Sequence, residues 1–204
     1  TTGLFTVNVL DQLAPVITPK STPTTIALDA TGNAAVTLAD VMGVAVDNCT
    51  ANPVVSWFPT SVSCAQVGSV TVYITATDAS GNFSNSTKVI QVVDNINPTL
   101  VTKAYTAVLN ANGNATVVES NVVQSKSDNC GIPTVLISKT EFDCTNKGAN
   151  NVTVTATDAN GNITTQTAVV TVVDQTAPFF TTAPSLTLLL NANGVATVSV
   201  PDVV

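Results

Sequence analysis

The 204-residue chain is acidic, with a formal net charge of −7, and it contains no His, no Arg and only six Lys. Scattered Lys cannot supply the basic clusters that nucleic-acid binding needs, and no apolar run approaches the roughly 18–20 residues that span a bilayer. Without His there is no nucleophile–base pair of the usual kind. We therefore expect no enzyme activity, no nucleic-acid partner and no membrane span in this segment.

Sequence landmarks recur about 80 residues apart. Segments of the form Asp-x-x-x-Pro begin at Asp11, Asp94 and Asp174. A period of this length indicates a tandem array of small units, in a chain cut from a longer protein. We expect four units: the end of a preceding repeat at 1–10, complete repeats at 11–93 and 94–173, and the start of a further, truncated repeat at 174–204.

Short apolar runs with a period of two follow one another along each repeat. A turn at 29–33 recurs at 110–114 and at 191–194. Runs such as 70–77 and 152–157 alternate apolar residues with Thr, which is typical of half-buried antiparallel strands. No segment sustains the 3.6-residue period of a helix. Some seven short strands per repeat predict an all-β fold of tandem immunoglobulin-like β-sandwiches, each of about 80 residues.

Placing these strands in sandwich order brings acidic segments to one end of each repeat. The segments are the linker before the repeat, a loop in its middle and the Asp-x-x-Gly-Asn hairpin before its last strand. Three carboxylates with amide oxygens suit a hard cation that takes 6–8 oxygen ligands, so we expect calcium at the boundaries between repeats. The predicted ligands are Asp11, Asp47, Asn48, Asp78, Asn82, Asp94, Asn95, Asp128, Asn129, Asp158, Asn160 and Asn162.

A simpler interpretation of the same residues stays open. Asp and Asn are ordinary turn formers that hydrogen-bond their own backbone, and any one of these loops could be turn chemistry alone. Turn or capping roles are the better interpretation for Asp29, Asp40 and Asp143, because their counterparts in the other repeat are Asn110, Asn121 and Ser63.

Each complete repeat contains two cysteines. Zinc would require four nitrogen or sulfur ligands in one place, so one pair per repeat favours a disulfide within the repeat. We expect Cys49–Cys64 and Cys130–Cys144. Closing a loop of about 15 residues stabilises the fold by roughly 3 kcal/mol in the chain-entropy model. Disulfides also indicate an oxidising, extracytoplasmic location.

The second repeat carries a recognisable series of motifs. Asp-Asn-x-x-Pro at 94–98 is followed by Ala-Thr-Val at 115–117, by Asp-Asn-Cys at 128–130 and by Val-Thr-x-x-Ala-Thr-Asp-Ala-x-Gly-Asn at 152–162. This pattern resembles the hyalin-repeat (HYR-like) branch of immunoglobulin-like modules, and more closely the repeats of very long Bacteroidetes-type surface adhesins, including those of gliding motility. The first repeat departs from it, with Thr50-Ala51-Asn52 in place of the Gly after Cys.

The resemblance implies a secreted, filamentous adhesin shaft at the cell surface, associated with the outer membrane. The partners expected are neighbouring repeats of the same chain, together with a surface polysaccharide or another cell-surface protein. Two alternatives stay open, a non-catalytic spacer and a carbohydrate-binding stalk of a surface enzyme. Sugar binding usually uses exposed aromatic residues, and the chain has only nine.

Overall fold

The computed structural model describes residues 3–181 and 185–198, and its strands fall into two sets that repeat one arrangement. We refer to residues 11–93 and 94–173 as the first and second repeats. The strands of the first repeat are β1 (Val16–Pro19), β2 (Thr25–Ala27), β3 (Asn33–Ala35), β4 (Met42–Val46), β5 (Val54–Phe58), β6 (Ser61–Ser63), β7 (Gly68–Thr77) and β8 (Phe83–Val93). Those of the second are β9 (Thr99–Thr102), β10 (Tyr105–Val108), β11 (Asn114–Thr116), β12 (Val123–Ser127), β13 (Thr134–Ile137), β14 (Glu141–Asp143), β15 (Gly148–Thr157) and β16 (Ile163–Val173).

Both repeats pair their strands in the same way. The larger sheet has the order β2-β8-β7-β5 in the first repeat and β10-β16-β15-β13 in the second. Its first pair is parallel and the others are antiparallel. Two short antiparallel pairs, β1-β4 and β3-β6, complete the first repeat, and β9-β12 and β11-β14 complete the second. The predicted all-β, immunoglobulin-like sandwich fold is confirmed.

The alternating residues of the long strands build the two cores. Val72 and Ile74 of β7 are fully buried against Val41 and Val62 in the first repeat. In the second repeat, Val152, Val154 and Ala156 of β15 take the corresponding place, and Phe142 fills the opposite side. Because burying each such aliphatic side chain contributes about 1.5–3 kcal/mol, the period-two pattern is the main source of stability in each repeat.

Short helical turns interrupt the strands at positions that the sequence pattern did not predict. Helix α1 (Leu38–Val41) and helix α2 (Glu119–Val122) precede β4 and β12, and 3-10 helices follow β6 at Cys64–Gln66 and β14 at Cys144–Asn146. Elements of three or four residues are too short to show a helical period. None of the helices in the described part has the length and apolar character required to cross a membrane.

The segments outside the two repeats carry no helix or strand over residues 3–10, 174–181 and 185–198. The turn at 191–195 nevertheless has the hydrogen bonds of its counterparts. The Gly194 N–H donates to the Asn191 carbonyl at 2.9 Å, as the Gly113 N–H donates to Asn110 at 2.8 Å. Residues 1–2, 182–184 and 199–204 of the expected end units lie outside the described residues.

The disulfide joins the two repeats, and the predicted pairs Cys49–Cys64 and Cys130–Cys144 are wrong. Cys64 is bonded to Cys130, with a Cα–Cα distance of 5.3 Å and a sequence separation of 66. Cys49 and Cys144 are free and exposed. Gly32 and Cys64 of the first repeat contact Asn129 and Cys130 of the second, and we call this contact the joint.

The length of strand β7 explains why the two cysteines of a repeat do not pair. Cys64 lies shortly before the start of β7, whereas Cys49 lies beside Asp78, which follows the end of β7. Ten residues in a strand at about 3.3 Å each separate these ends by about 30 Å. A disulfide requires Cα atoms within about 7 Å. Strand β15 separates Cys144 from Cys130 in the same way.

Candidate metal centres

Each repeat brings three aspartates together at one end. The first acidic cluster is Asp11, Asp47 and Asp78, and the second is Asp94, Asp128 and Asp158. In each cluster the three residues come from the linker, the loop before β5 or β13, and the hairpin after β7 or β15. One carboxylate oxygen from each residue lies within 4.8 Å of the other two. The strand order therefore assembles both clusters from segments that are far apart in sequence.

The hairpin aspartates Asp78 and Asp158 are held by several hydrogen bonds. Oδ1 of Asp158 accepts from the main-chain N–H groups of Asn160 and Asn162 at 2.8 Å, and Oδ2 accepts from the Asn162 side chain at 2.7 Å. Burial alone would raise the pKa of Asp158, but these hydrogen bonds outweigh it and lower the pKa. The pKa of Asp78 is lowered in the same way through Asn82. Both side chains are therefore ionised at neutral pH.

The other cluster residues leave oxygen atoms without a partner. Five buried side-chain oxygens in the described part accept no hydrogen bond: Asp11 Oδ2, Asp47 Oδ1, Asp94 Oδ2, Asp128 Oδ1 and Asn129 Oδ1. All five belong to the clusters or to the residue next to one. An unpartnered buried oxygen costs about 1–3 kcal/mol, and more when it is charged. Each cluster therefore offers buried oxygens that could hold a cation.

Neither cluster has a basic partner within the described residues. The ion pair found there joins Lys126 to Glu119. Carboxylate oxygens within 4.8 Å of one another repel when they carry charge, and no cationic side chain of the described residues offsets that repulsion. The negative charge of the first cluster also affects Cys49. Desolvation, followed by the negative charges of Asp11, Asp47 and Asp78, raises the pKa of its thiol.

The predicted asparagines have different roles. Asn82 and Asn162 direct their side-chain nitrogens towards the clusters, and each donates to the hairpin aspartate and to the carbonyl of the linker aspartate. They organise the site. Asn48 donates to the sulfur of Cys49. Asn95 and Asn160 are exposed. Asn129 is the one asparagine whose oxygen is buried and free of hydrogen bonds, so it fits a ligand role.

The second cluster lies at the joint. The side-chain nitrogen of Asn129 donates to the Asp29 carbonyl of the first repeat at 3.3 Å and to Asp94 Oδ1 at 3.1 Å. Asp94 is only 6% exposed. The first cluster has no complete repeat covering it, and Asp11 is correspondingly more exposed than Asp94. One asparagine thus connects the first repeat, the linker and the disulfide loop.

Three aspartates outside the clusters, Asp29, Asp40 and Asp143, accept turn or capping hydrogen bonds, in agreement with the interpretation from their counterparts in the other repeat. Asp29 Oδ1 accepts from the N–H and hydroxyl groups of Thr31, and the hydroxyl bond lowers its pKa most. Asp40 accepts from both groups of Thr37 at the start of α1. Asp143 accepts from Thr145, which lowers its pKa in the same manner. None of these three belongs to a cluster.

The donor set of each cluster suits calcium. Hard divalent cations prefer carboxylate and carbonyl oxygens, and Ca²⁺ accepts 6–8 of them in flexible geometry. In the second cluster Asp94, Asp128 and Asp158 would hold the ion, with Asn129 Oδ1 beside them. In the first cluster Asp11, Asp47 and Asp78 would do so. Neither set contains sulfur or nitrogen ligands of the kind that zinc sites use.

No protein-family model matches the chain, and no curated protein matches it. Among solved structures, the chain is similar to a protocadherin fragment, PcdhgB3 EC1-4, at 13% identity and a TM-score of 0.39, covering 80% of this chain and 50% of that one. Mouse Cadherin-23 EC22-24 is 16% identical with a TM-score of 0.37, covering 81% and 66%. The fibronectin(III)-like modules of Clostridium thermocellum CbhA are 16% identical with a TM-score of 0.29, covering 81% and 100%. Likenesses of this degree concern the fold and carry no argument about function.

Proposed function

We propose that this chain is a structural and adhesive segment of a secreted cell-surface adhesin, in which Ca²⁺ bound at the acidic clusters stiffens the array. The observation that carries the proposal is the set of five unpartnered, buried oxygens in and beside the two clusters. Bound Ca²⁺ would cancel the repulsion among Asp94, Asp128 and Asp158, and would tie the linker to both loops of the second repeat. The linker residue Asp94 would then be fixed relative to the second repeat, while Asn129 and the disulfide hold that repeat against the first.

Two further observations support an extracellular array. The disulfide between the repeats suits an oxidising compartment. The sequence motifs resemble those of outer-membrane-associated adhesins, including gliding-motility adhesins. Repeated weak contacts along a stiff fibre, with a surface polysaccharide or another cell-surface protein, would accumulate as avidity. The proposal assigns the segment no catalytic step.

Thermal unfolding in the presence and absence of calcium tests this function. We expect the chain to unfold at a higher temperature in millimolar Ca²⁺ than in chelator, because an ion that binds only the folded state stabilises it. At 100 times the dissociation constant the gain is about 2.7 kcal/mol per site. Calorimetric titration should detect two ions per chain, one for each cluster. An unchanged melting temperature with no ion bound would contradict the proposal.

The chain offers a matched control for the cluster carboxylates. Asp47→Asn and Asp128→Asn can retain the oxygen that accepts the Cys49 or Cys130 N–H, but they replace the unpartnered oxygen with an amide nitrogen and remove the charge. Each should abolish one of the two binding events. Asp29→Asn is the control, because Asn110 makes the equivalent turn in the second repeat. Equal loss of calcium in the control would show that net charge, not the cluster, determines binding.

A further inference from the structure

The far end of the second repeat reproduces the half of the joint that the first repeat supplies. Cys64 Sγ lies 3.5 Å from the Gly32 carbonyl oxygen, and Cys144 Sγ lies 3.7 Å from the Gly113 carbonyl oxygen. Gly32 and Gly113 have φ values of +74° and +76°. In both repeats the cysteine begins a 3-10 helix. The turn and the sulfur therefore have the same relative position in both repeats.

The near end of the first repeat reproduces the complementary half. Oδ2 of Asp47 accepts the Cys49 N–H at 2.9 Å, and Oδ2 of Asp128 accepts the Cys130 N–H at the same distance. The preceding asparagine directs its side-chain nitrogen at the cysteine sulfur in both loops, at 3.0 Å for Asn48 and 3.5 Å for Asn129. The two Asp-Asn-Cys loops are therefore built alike.

The two halves differ in what covers them. A Cβ added to Gly32 would meet the Asn129 carbonyl oxygen at 2.6 Å, because the Asp-Asn-Cys loop of the second repeat lies on this turn. Among the described residues, a Cβ added to Gly113 would meet within 4 Å only Cys144 Sγ, at 2.9 Å, which corresponds to the Cys64 Sγ contact at Gly32. Cys144 and Cys49 are exposed and free, while their counterparts Cys64 and Cys130 are bonded to each other. The second repeat thus presents the Gly113 turn and Cys144 with no neighbouring repeat of the described residues packed on them. We call this turn and cysteine the half-joint.

The repeat spacing aligns this half-joint with a following unit. Cys64 lies 30 positions before Asp94, and Cys144 lies 30 positions before Asp174, which opens the next Asp-x-x-x-Pro segment. The chain between Cys144 and that segment therefore has the same length as the chain between Cys64 and Asp94 at the observed joint.

We propose that Cys144 and Cys49 form disulfides with cysteines of neighbouring units of the same fold. Cys144 bonds to the Asp-Asn-Cys-loop cysteine of a following unit, and Cys49 bonds to the 3-10-helix cysteine of a preceding one. Every repeat is then linked covalently to both neighbours. The inference rests on the joint alone and does not require calcium at either cluster.

The bond forms by thiol–disulfide exchange with a disulfide oxidant. The thiolate of one cysteine attacks a sulfur of the oxidant and displaces a thiolate, which gives a mixed disulfide. The thiolate of the second cysteine then attacks the protein sulfur and releases the other half of the oxidant. One S–S bond forms and one is cleaved, and the two electrons and two protons of the protein thiols end on the reduced oxidant.

An extended chain tests the proposal. Residues 174–204 are replaced by a second copy of 94–173 that carries Cys144→Ser and, as a mass label, Ile132→Val at a side chain that is 84% exposed. The protein is oxidised with a small-molecule disulfide, free thiols are alkylated, and trypsin cuts after Lys. Cys130 then lies in peptide 127–139 and Cys144 in peptide 140–147. We expect peptide 140–147 to be linked to the labelled copy of 127–139, and Cys49 to be alkylated.

The controls separate this pairing from non-specific oxidation. Cys130→Ser in the added copy should return Cys144 to the alkylated form while the Cys64–Cys130 link persists. A second extended chain, ending in a copy of 11–93, should link Cys144 to the copied Cys49. Alkylated Cys144 in both extended chains, or Cys144 linked to the original Cys49, would overturn the proposal.

Discussion

Gly32 and Gly113 occupy equivalent turns, but the neighbouring repeat covers only Gly32. Both have positive φ, a conformation that costs a residue with a side chain roughly 1 kcal/mol or more. Only at Gly32 would a Cβ also meet the backbone across the joint, at 2.6 Å from the Asn129 carbonyl oxygen. Both turns therefore require glycine for their backbone conformation, and the turn in the first repeat also requires it for the close contact with the second repeat.

We predict that Gly32→Ala lowers the melting temperature more than Gly113→Ala does. Both substitutions impose similar backbone strain and bring the Cβ close to a cysteine sulfur, but only Gly32→Ala also meets the Asn129 carbonyl oxygen across the joint. Gly32→Ala should also leave a larger fraction of Cys64 and Cys130 as free thiols after oxidation, because the Asp-Asn-Cys loop must move away. Thermal unfolding and thiol titration measure the two effects. Equal losses in both variants would mean that the joint contributes nothing at this turn.

The positions of the cluster aspartates could be predicted from sequence, but the state of their oxygens could not. Strand alternation and hairpin order determine which loops share an end, and this brings Asp94, Asp128 and Asp158 together. Which oxygen is free depends on side-chain rotamers and local hydrogen bonds. Asn162, for example, presents its nitrogen to the cluster, whereas Asn129 keeps a buried oxygen unpaired. Sequence pattern carries no signal that distinguishes these two asparagines.

At the scale of elements, strands β7 and β15 determine the disulfide pattern. Each places the two cysteines of its repeat at opposite ends, so that sulfur atoms meet only across a boundary between repeats. The predicted pairing was wrong because it took closeness in sequence as closeness in space. The strand directions place the Asp-Asn-Cys loop and the cysteine of the 3-10 helix at opposite ends of each repeat, and this excludes a bond within the repeat. The three- and four-residue helices, in contrast, left no periodic signal.

Peptide mapping of the unmodified chain distinguishes the two disulfide patterns. Tryptic peptide 21–88 contains both Cys49 and Cys64. The observed connection predicts that 21–88 is linked to 127–139, with peptide 140–147 alkylated. Pairs within the repeats would instead link 127–139 to 140–147 and leave 21–88 unlinked to any other peptide. Reduction before alkylation is the control, and it should release all three peptides.

At the scale of the whole chain, a disulfide and an acidic cluster lie at the same boundary between the repeats. The Cys64–Cys130 bond joins the two repeats directly, and the second acidic cluster includes the linker residue Asp94. Asn129 contacts both, through the Cys130 sulfur and Asp94 Oδ1. Tandem architecture could be predicted from the 80-residue period, because each landmark recurs in step. The period alone does not determine the covalent link between units, because the period is the same whether the bond lies within a repeat or between two; the strand directions determine it.

We predict that the joint limits how far the chain extends when it is stretched from its two ends. Applied force passes from Cys64 directly to Cys130, so the chain between them, with a sequence separation of 66, cannot straighten. At about 3.5 Å per residue, the fully extended oxidised chain should be shorter than the reduced chain by about 225 Å. Single-molecule stretching measures this contour length. Cys49→Ser with Cys144→Ser should leave the difference unchanged, whereas Cys64→Ser should abolish it.

In an array closed at every joint, tension would travel through only a small part of each unit. It would enter at the cysteine of the Asp-Asn-Cys loop and leave at that of the 3-10 helix, which are 15 positions apart in the first repeat and 14 in the second. Both long strands, β7 and β8, would lie outside that path. If the core of a unit unfolded under tension, only the segment between its two cysteines would be stretched. The unit would then lengthen little, and it could refold when the force falls.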